Sequence, residues 1–313
     1  MPLDTQAAAY VQLVTEIGGP PFEEMTPEEA REVFTAGFAA PATGLTTLED
    51  ITVPGPGGPL ALRIHRARSE GPLPVLVFFH GGGWVVGDFS THDFACQELA
   101  RLTPCIVVSV DYRLSPETRF PGPVDDCYAA TEWASSNAAA LGARPGPVAV
   151  GGDSAGGHLA AAVALRARDK GLSLALQLLI YPVTDAACDS DSYTEFGDGF
   201  MLTRPAMLWF WEHFLGPDGD PSHPEASPLR APDLAGVAPA YVLTAECDVL
   251  RDEGEAYADR LRAAGVATDV YRYPGQLHGF VTVAGAFDAT AVSHELLGDA
   301  LRSAFAAPFY KPV

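Results

Sequence analysis

The sequence has few basic residues and almost no lysine. Its 313 residues contain 40 Asp and Glu against 19 Lys and Arg, and only Lys170 and Lys311 are lysines. The formal net charge of −21 argues against nucleic acid and anionic membranes as partners, because both are bound through basic patches. An acidic surface also keeps a protein soluble, so the charge does not identify a substrate.

Cysteine is scarce, and long apolar runs are absent. The five cysteines show no Cys-x-x-Cys spacing, which predicts free thiols in a reducing compartment. The N-terminus lacks the basic and apolar regions of a signal peptide, and no run of about 18 apolar residues could span a membrane. We therefore expect a cytoplasmic protein without membrane insertion.

From residue 73 onward, the sequence alternates between apolar runs typical of buried strands and helical segments. Strands are predicted at 73–79, 105–110, 148–150, 175–181, 241–245 and 268–273, and helices at 125–137, 155–169, 255–264 and 289–306. This alternation predicts an α/β fold with a mostly parallel sheet and helices on both faces. Before it, 47–53 and 60–65 read as a hairpin, and residues up to about 40 hold two weak helical patterns.

One stretch between two predicted strands breaks the alternation. Residues 186–228 contain many aromatic side chains and no strand pattern. An insertion at this place in a parallel sheet is typical of a lid over a site, although most of its aromatic residues are expected to form the lid's own core.

A serine lies on a glycine-rich turn between a predicted strand and a predicted helix. Gly152, Ser154 and Gly156 fit the pattern Gly-x-Ser-x-Gly, in which the serine hydroxyl projects from a sharp turn. The glycines are expected both to avoid collisions across the turn and to adopt dihedrals that other residues disfavour. The helix N-terminus also favours an anionic oxygen nearby. The motif alone is short, so it needs partners elsewhere in the chain.

A second glycine loop, 80–84, follows the strand at 73–79 and reads His-Gly-Gly-Gly-Trp. Three consecutive glycines let the backbone approach a ligand and direct N–H groups at it. The loop is therefore a candidate binding element.

Polar residues follow four predicted strands, whose carboxyl ends form one edge of a parallel sheet. Ser154, Asp248 and His278 occur in the chain order nucleophile, acid, base that is typical of α/β-hydrolases. His278 would take the serine proton, and Asp248 would orient the imidazole. The N–H groups of Gly82, Gly83 and Ala155 would bind the oxyanion.

Other residues in the same segments are weaker candidates for these roles. Asp252 could be the acid, but it lies at the start of the next helix rather than at the strand end. His80 could be the base, but it precedes the three glycines of the loop. Asp153 is expected to point away from the site. His158 is expected to pack or hydrogen-bond inside the helix, and Arg113 and Glu117 to brace neighbouring loops, if they form an ion pair.

These motifs resemble the bacterial hormone-sensitive-lipase family of esterases (family IV carboxylesterases, in the subgroup with Gly-Asp-Ser-Ala-Gly at the nucleophile). The matching segments, in family order between residues of about 80 and 280, are 80–84, 112–117, 152–157, 248–254 and 278–280. Ser115, His158 and Val249 depart from the usual family residues, but none belongs to the proposed triad.

The resemblance implies an α/β-hydrolase fold with a helical cap. Residues 1–45 would be N-terminal cap helices, 186–228 a cap insertion, and 46–185 with 229–313 the catalytic domain. It implies a carboxylic ester hydrolase for small-molecule esters of short to medium acyl chain, with no metal or cofactor, and a homodimer as a candidate assembly. An amidase, lactonase or deacetylase with the same triad stays open, and a non-catalytic binder is a weaker alternative because His278 is present.

Overall fold

The computed structural model describes residues 3–39, 44 and 46–307, which fold around an eight-stranded sheet. Its strands in spatial order are β1-β2-β4-β3-β5-β6-β7-β8. Strand β2 runs antiparallel to β1 and β4, and all other neighbours are parallel. The strands are β1 Thr47–Gly55, β2 Gly58–Arg66, β3 Val75–Phe79, β4 Ile106–Asp111, β5 Val148–Asp153, β6 Leu174–Ile180, β7 Ala240–Cys247 and β8 Thr268–Leu277. The predicted mostly parallel sheet is confirmed.

Helices connect the strands and extend the chain at its N-terminus. The α-helices are α1 Thr5–Ile17, α2 Pro27–Phe38, α3 Phe89–Leu102, α4 Gly122–Ser136, α5 Ala155–Lys170, α6 Asp191–Glu195, α7 Arg204–Leu215, α8 Arg251–Ala263 and α9 Asp288–Ala306. Short 3₁₀ turns lie at Phe22–Glu24 and Pro228–Arg230. No helix in the described ranges is both long enough and apolar enough to cross a membrane.

Helix α3 was not predicted, although its start carries a local signal. The Asp88 side chain accepts the Thr91 N–H at 3.1 Å, and the Thr91 hydroxyl oxygen accepts the Asp88 N–H at 3.0 Å, which together form a capping box. Helix α8 begins four residues earlier than predicted. Its first turn holds Asp252, whose negative charge favours a helix N-terminus.

The centre of the sheet is its most buried part. Every residue of β3 and β5 is buried, because helices cover both faces of these parallel strands. The loops that follow β3 and β5 therefore begin at the same edge of the sheet, and each is anchored by a buried strand. All five cysteines are buried and none forms a disulfide, as predicted.

Two segments outside this alternation contact the loops at that edge. At the N-terminus, the Asp4 N–H donates to the Gly275 carbonyl near the end of β8 at 3.0 Å. Helix α2 begins at a capping box between Thr26 and Glu29, within the second of the weak helical patterns before residue 40. The aromatic stretch between β6 and β7 contains α6 and α7 and, as expected, no strand.

Candidate active site

Ser154 lies on the turn between β5 and α5. Its backbone has φ +56° and ψ −120°, a strained combination for a residue with a side chain. The flanking glycines are needed for space rather than for a positive φ. A Cβ on Gly152 would lie 2.4 Å from the Phe79 carbonyl oxygen, and one on Gly156 would lie 1.9 Å from the same atom. The strained turn therefore depends on its close packing against the end of β3.

The structure brings Ser154, His278 and Asp248 together. The Ser154 Oγ lies 2.9 Å from the His278 Nε2, and the His278 Nδ1 lies 2.7 Å from the Asp248 Oδ2. The other Asp248 oxygen accepts the Leu250 N–H at 3.0 Å, which fixes the carboxylate. Because a carboxylate can only accept, the Nδ1 carries a proton and the Nε2 faces the serine as a base. The Tyr181 ring packs beside the imidazole, with centroids 4.7 Å apart.

The three predicted oxyanion residues lie around the serine turn. Gly82 and Gly83 line the same cavity as Ser154, and Ala155 is the next residue along the chain. Within the described part of the chain, the N–H groups of these residues donate to no protein acceptor. Gly82 and Gly83 have φ values of +112° and +57°, so the loop uses conformations that favour glycine.

Aromatic packing fixes the C-terminal end of the glycine loop. The fully buried Trp84 ring stacks on Phe214 of α7, with centroids 4.1 Å apart. Its Nε1–H donates to the His158 Nδ1 at 3.1 Å, and the His158 Nε2–H donates to the Ala226 carbonyl at 2.9 Å. Burial lowers the pKa of His158 to about 4, so it is a neutral packing residue here, as expected.

The competing residues are engaged elsewhere. Asp252 pairs with Arg251 at 2.7 Å and accepts the Ser192 N–H at 2.8 Å. His80 is buried, its Nδ1 donates to the Gly81 carbonyl at 2.7 Å, and desolvation with the nearby His92 lowers its pKa to about 4. The Asp153 carboxylate points to the Gly81 backbone rather than to Ser154.

Arg113 and Glu117 form ion pairs, but not with each other. Arg113 binds Asp126 of α4 at 2.7 Å. Glu117 binds Arg31 of α2 at 2.7 Å, and Arg31 also donates to the Val85 carbonyl at 2.8 Å. The suggested pair between Arg113 and Glu117 is therefore wrong, because each side chain has a partner in another element.

A cavity of about 130 Å³ opens onto Ser154 and His278. Its apolar walls come from the N-terminal segment and from the stretch between β6 and β7. These wall residues are Phe22, Phe34, Phe38, Met201, Leu202 and Phe210. Across residues 3–39, 44 and 46–307, no group of three or more His, Cys, Asp or Glu side chains is placed to hold a metal ion.

Sequence reasoning missed two features beside this cavity. One is His92 on α3, whose Nε2 lies 3.2 Å from the Asp153 Oδ1. The other is Arg31, which links α2 to the glycine loop through Val85. Neither contact has a local sequence signal, since each joins residues more than 50 positions apart.

The sequence and the structure are both similar to those of known α/β hydrolases and esterases. The sequence pattern of a family described by its alpha/beta hydrolase fold matches residues 76–282. The carboxylic ester hydrolase LipN of Mycobacterium tuberculosis is 47% identical over 262 residues, covering 81% of this chain and 69% of LipN. An ethyl acetate hydrolase of Pseudomonas putida is 37% identical over 295 residues, covering 90% and 92% of the two chains. The crystal structure of a thermostable esterase from Pseudomonas putida ECU1011 superposes with a TM-score of 0.94 at 37% identity, covering 98% and 99%.

Proposed function

This chain belongs to the α/β-hydrolase family, and we propose that it is a carboxylic ester hydrolase that acts through Ser154, His278 and Asp248. The observation that carries the proposal is the continuous hydrogen-bonded series from the Ser154 Oγ through the imidazole to the buried Asp248 carboxylate. The relatives named as ester hydrolases and the esterase structure support the same reaction.

The reaction follows from the proton positions. The Ser154 Oγ attacks the ester carbonyl carbon while its proton passes to the His278 Nε2, and Asp248 stabilises the resulting imidazolium. The carbonyl oxygen becomes an oxyanion, which the N–H groups of Gly82, Gly83 and Ala155 bind; one such donor is worth about 3 kcal/mol. The tetrahedral intermediate breaks its bond to the alcohol oxygen, which takes the proton from His278.

The acyl group now remains on Ser154 as an ester. Water attacks its carbonyl carbon and gives a proton to the His278 Nε2, so a second tetrahedral intermediate forms. This intermediate releases the carboxylic acid, and the Ser154 Oγ recovers its proton from the imidazole. The cycle consumes one ester and one water, and it needs no cofactor.

The walls of the cavity favour esters with short to medium acyl chains, on the order of two to eight carbons, because longer chains do not fit in the pocket. A volume of about 130 Å³ leaves little room beside Ser154, and most of the apolar wall residues are phenylalanines. On this view residues 1–45 and 186–228 form the cap, and 46–185 with 229–313 form the catalytic domain. Residues 1–2, 40–43, 45 and 308–313 of this division lie outside the described residues.

The test is hydrolysis of p-nitrophenyl esters of increasing acyl length, run beside matched amides and lactones. Activity should be highest at short chains and should disappear in Ser154→Ala and His278→Ala, with circular dichroism showing that both variants stay folded. Near-wild-type ester hydrolysis by either variant would contradict the assignment. Activity on amides or lactones alone would replace the ester in the proposal.

The homodimer implied by the family resemblance is a separate proposal. Strand β8 is the last strand of the sheet, and Tyr271 on it is 38% exposed, which supports an edge contact between two copies. Sedimentation equilibrium would give the mass in solution, and a monomer at micromolar concentration would contradict a stable dimer.

A further inference from the structure

A second histidine–aspartate pair lies beside the nucleophile turn, and the proposed reaction does not use it. We propose that His92 and Asp153 form a charged pair that positions the oxyanion glycine loop relative to Ser154. The inference rests on the proposed function, since it concerns the oxyanion donors of the same serine. Both side chains are almost fully buried, and both line the cavity that contains Ser154.

The Asp153 carboxylate connects the two halves of the site. Asp153 directly precedes Ser154, and Gly81 directly precedes Gly82. The Gly81 N–H donates to the Asp153 Oδ1 at 3.0 Å. A Cβ on Gly81 would lie 2.4 Å from the Asp153 Oδ2, so the backbone is packed directly onto the carboxylate. The distance between nucleophile and oxyanion donors therefore depends on where this carboxylate is held.

The position of the carboxylate depends in turn on His92, and hydrogen-bond partners assign the protons of its ring. The Thr91 hydroxyl has one proton and lies 2.8 Å from the Asp88 carbonyl oxygen, which can only accept. The Thr91 proton is therefore used, and the hydroxyl oxygen accepts from the His92 Nδ1, 2.8 Å away. The Nδ1 of His92 consequently carries a proton.

The second ring nitrogen also faces an acceptor. The His92 Nε2 lies 3.2 Å from one Asp153 oxygen and 3.3 Å from the other, so a proton must lie between the nitrogen and the carboxyl group. The Gly81 N–H lies 3.0 Å from the Asp153 Oδ1 and 3.2 Å from the His92 Nε2, and we assign its proton to the carboxylate oxygen, which is the nearer and the stronger acceptor. An ionised Asp153 then leaves both protons on His92, which makes the ring an imidazolium.

The surrounding charges agree with this assignment. Burial acts to raise the pKa of Asp153, but the nearby His92, His278 and His80 lower it below its ordinary value, which favours the carboxylate. The His80 ring lies 5.5 Å from the His92 ring, and His92 contributes to lowering the pKa of His80 to about 4. A neutral His80 does not compete for the carboxylate. Asp88, at the start of α3, is a further acid whose charge acts on His80.

The protonation of His92 can be measured without any substrate. In protein labelled with ¹⁵N-histidine, long-range ¹H–¹⁵N spectra at pH 7 to 8 distinguish a ring with two protonated nitrogens from a neutral ring, and the His92→Gln variant assigns the signal. We expect both His92 nitrogens to be protonated. A neutral ring in wild-type protein would overturn the charged pair.

Kinetics tests the positioning role with two matched substitutions. Gln at 92 can place an N–H donor where the Nε2 was, whereas Asn can replace only the Nδ1 contact to Thr91. We expect His92→Asn and Asp153→Asn to lower kcat on p-nitrophenyl acetate about 10- to 100-fold, because small displacements of catalytic groups cost rates of this order. His92→Gln should keep most of the activity.

KM should change little in all three variants, and binding of a trifluoromethyl ketone, which forms an oxyanion on Ser154, should weaken in parallel with kcat. Equal kcat values for His92→Asn, His92→Gln and wild type would overturn the positioning role. If wild type showed no hydrolysis dependent on Ser154, the proposed function would fail instead, while the NMR result would still decide the charged pair.

Discussion

Replacing Gly83 with alanine should displace an oxyanion donor while the protein stays folded. The new Cβ would lie 2.1 Å from the Phe210 Cδ1, whereas carbon atoms in contact are about 3.5–4.0 Å apart. The Phe210 ring is only 3% exposed and packs against Phe22 with centroids 5.1 Å apart, so it has little room to move. The backbone at Gly83, with φ +57°, would also cost alanine about 1–2 kcal/mol.

The loop therefore has to move, and the Gly83 N–H moves with it. Loss of one oxyanion donor lowers kcat by about 10²–10³-fold, and overpacking of this kind costs about 1–3 kcal/mol of stability. The assay is kcat on p-nitrophenyl acetate at saturating substrate, with a thermal melt followed by circular dichroism. The control is Gly171→Ala at the end of α5, which has φ +73° but no atom within 4 Å of the new Cβ.

Gly171→Ala should lose stability through backbone strain while keeping wild-type kcat. A Gly83→Ala enzyme with kcat within about threefold of wild type would refute the reasoning, because it would show that the Gly83 N–H does not bind the oxyanion or that the loop tolerates the contact.

Three further outcomes follow from charged and buried groups. Arg31→Lys should lower kcat several-fold more than Glu117→Gln in steady-state kinetics, because lysine cannot reproduce the guanidinium bonds to Val85 and Glu117 together, whereas the Glu117 variant keeps the bond to Val85. Burial raises the pKa of Glu253 to about 8 from 4.5, so the folded protein holds a proton that the unfolded chain releases. The free energy of unfolding should therefore fall as pH rises from about 4.5 to 8, by about 1.4 kcal/mol per pH unit for this one group. Glu253→Gln should flatten that part of a plot of melting temperature against pH. Burial also lowers the pKa of four histidines to about 4, namely His65, His80, His158 and His294. Because the unfolded chain takes up these protons first, stability should fall as pH drops from about 6.5 toward 4, and an unchanged melting temperature over that range would contradict it.

The parts of the fold that the sequence predicts are those with strong local patterns. The strands before the loops at Ser154 and the three glycines are continuous apolar runs, so their burial was predictable. Asp248 and His278 could be assigned because each follows a predicted strand, and parallel strands end at one edge of the sheet. Helix α3 was missed because its apolar residues lie among polar ones, although its capping box was visible.

What the sequence could not predict depends on contacts between distant residues. Arg113 and Glu117 lie close in sequence, but their partners Asp126 and Arg31 are chosen by how α4 and α2 pack. The same holds for the reason behind the flanking glycines. At Gly152 and Gly156 the sequence predicts both steric collision and unusual dihedrals, whereas the structure shows collision with the Phe79 carbonyl and no positive φ, so the second expectation was wrong.

The wall of the cavity and the oxyanion loop share one side chain, which links substrate size to rate. Phe210 lines the cavity and supports Gly83, whereas Phe34 lines the cavity and stacks on Phe38 with centroids 4.5 Å apart. Alanine at either position should enlarge the cavity and shift preference toward longer acyl chains. Phe210→Ala should also lower kcat for p-nitrophenyl acetate, because Gly83 loses its support, while Phe34→Ala should leave that kcat near wild type. Equal kcat values for the two variants would show that the cap sets only the size of the pocket, and a fall in kcat confined to Phe210→Ala would show that the same aromatic ring also holds the oxyanion donors.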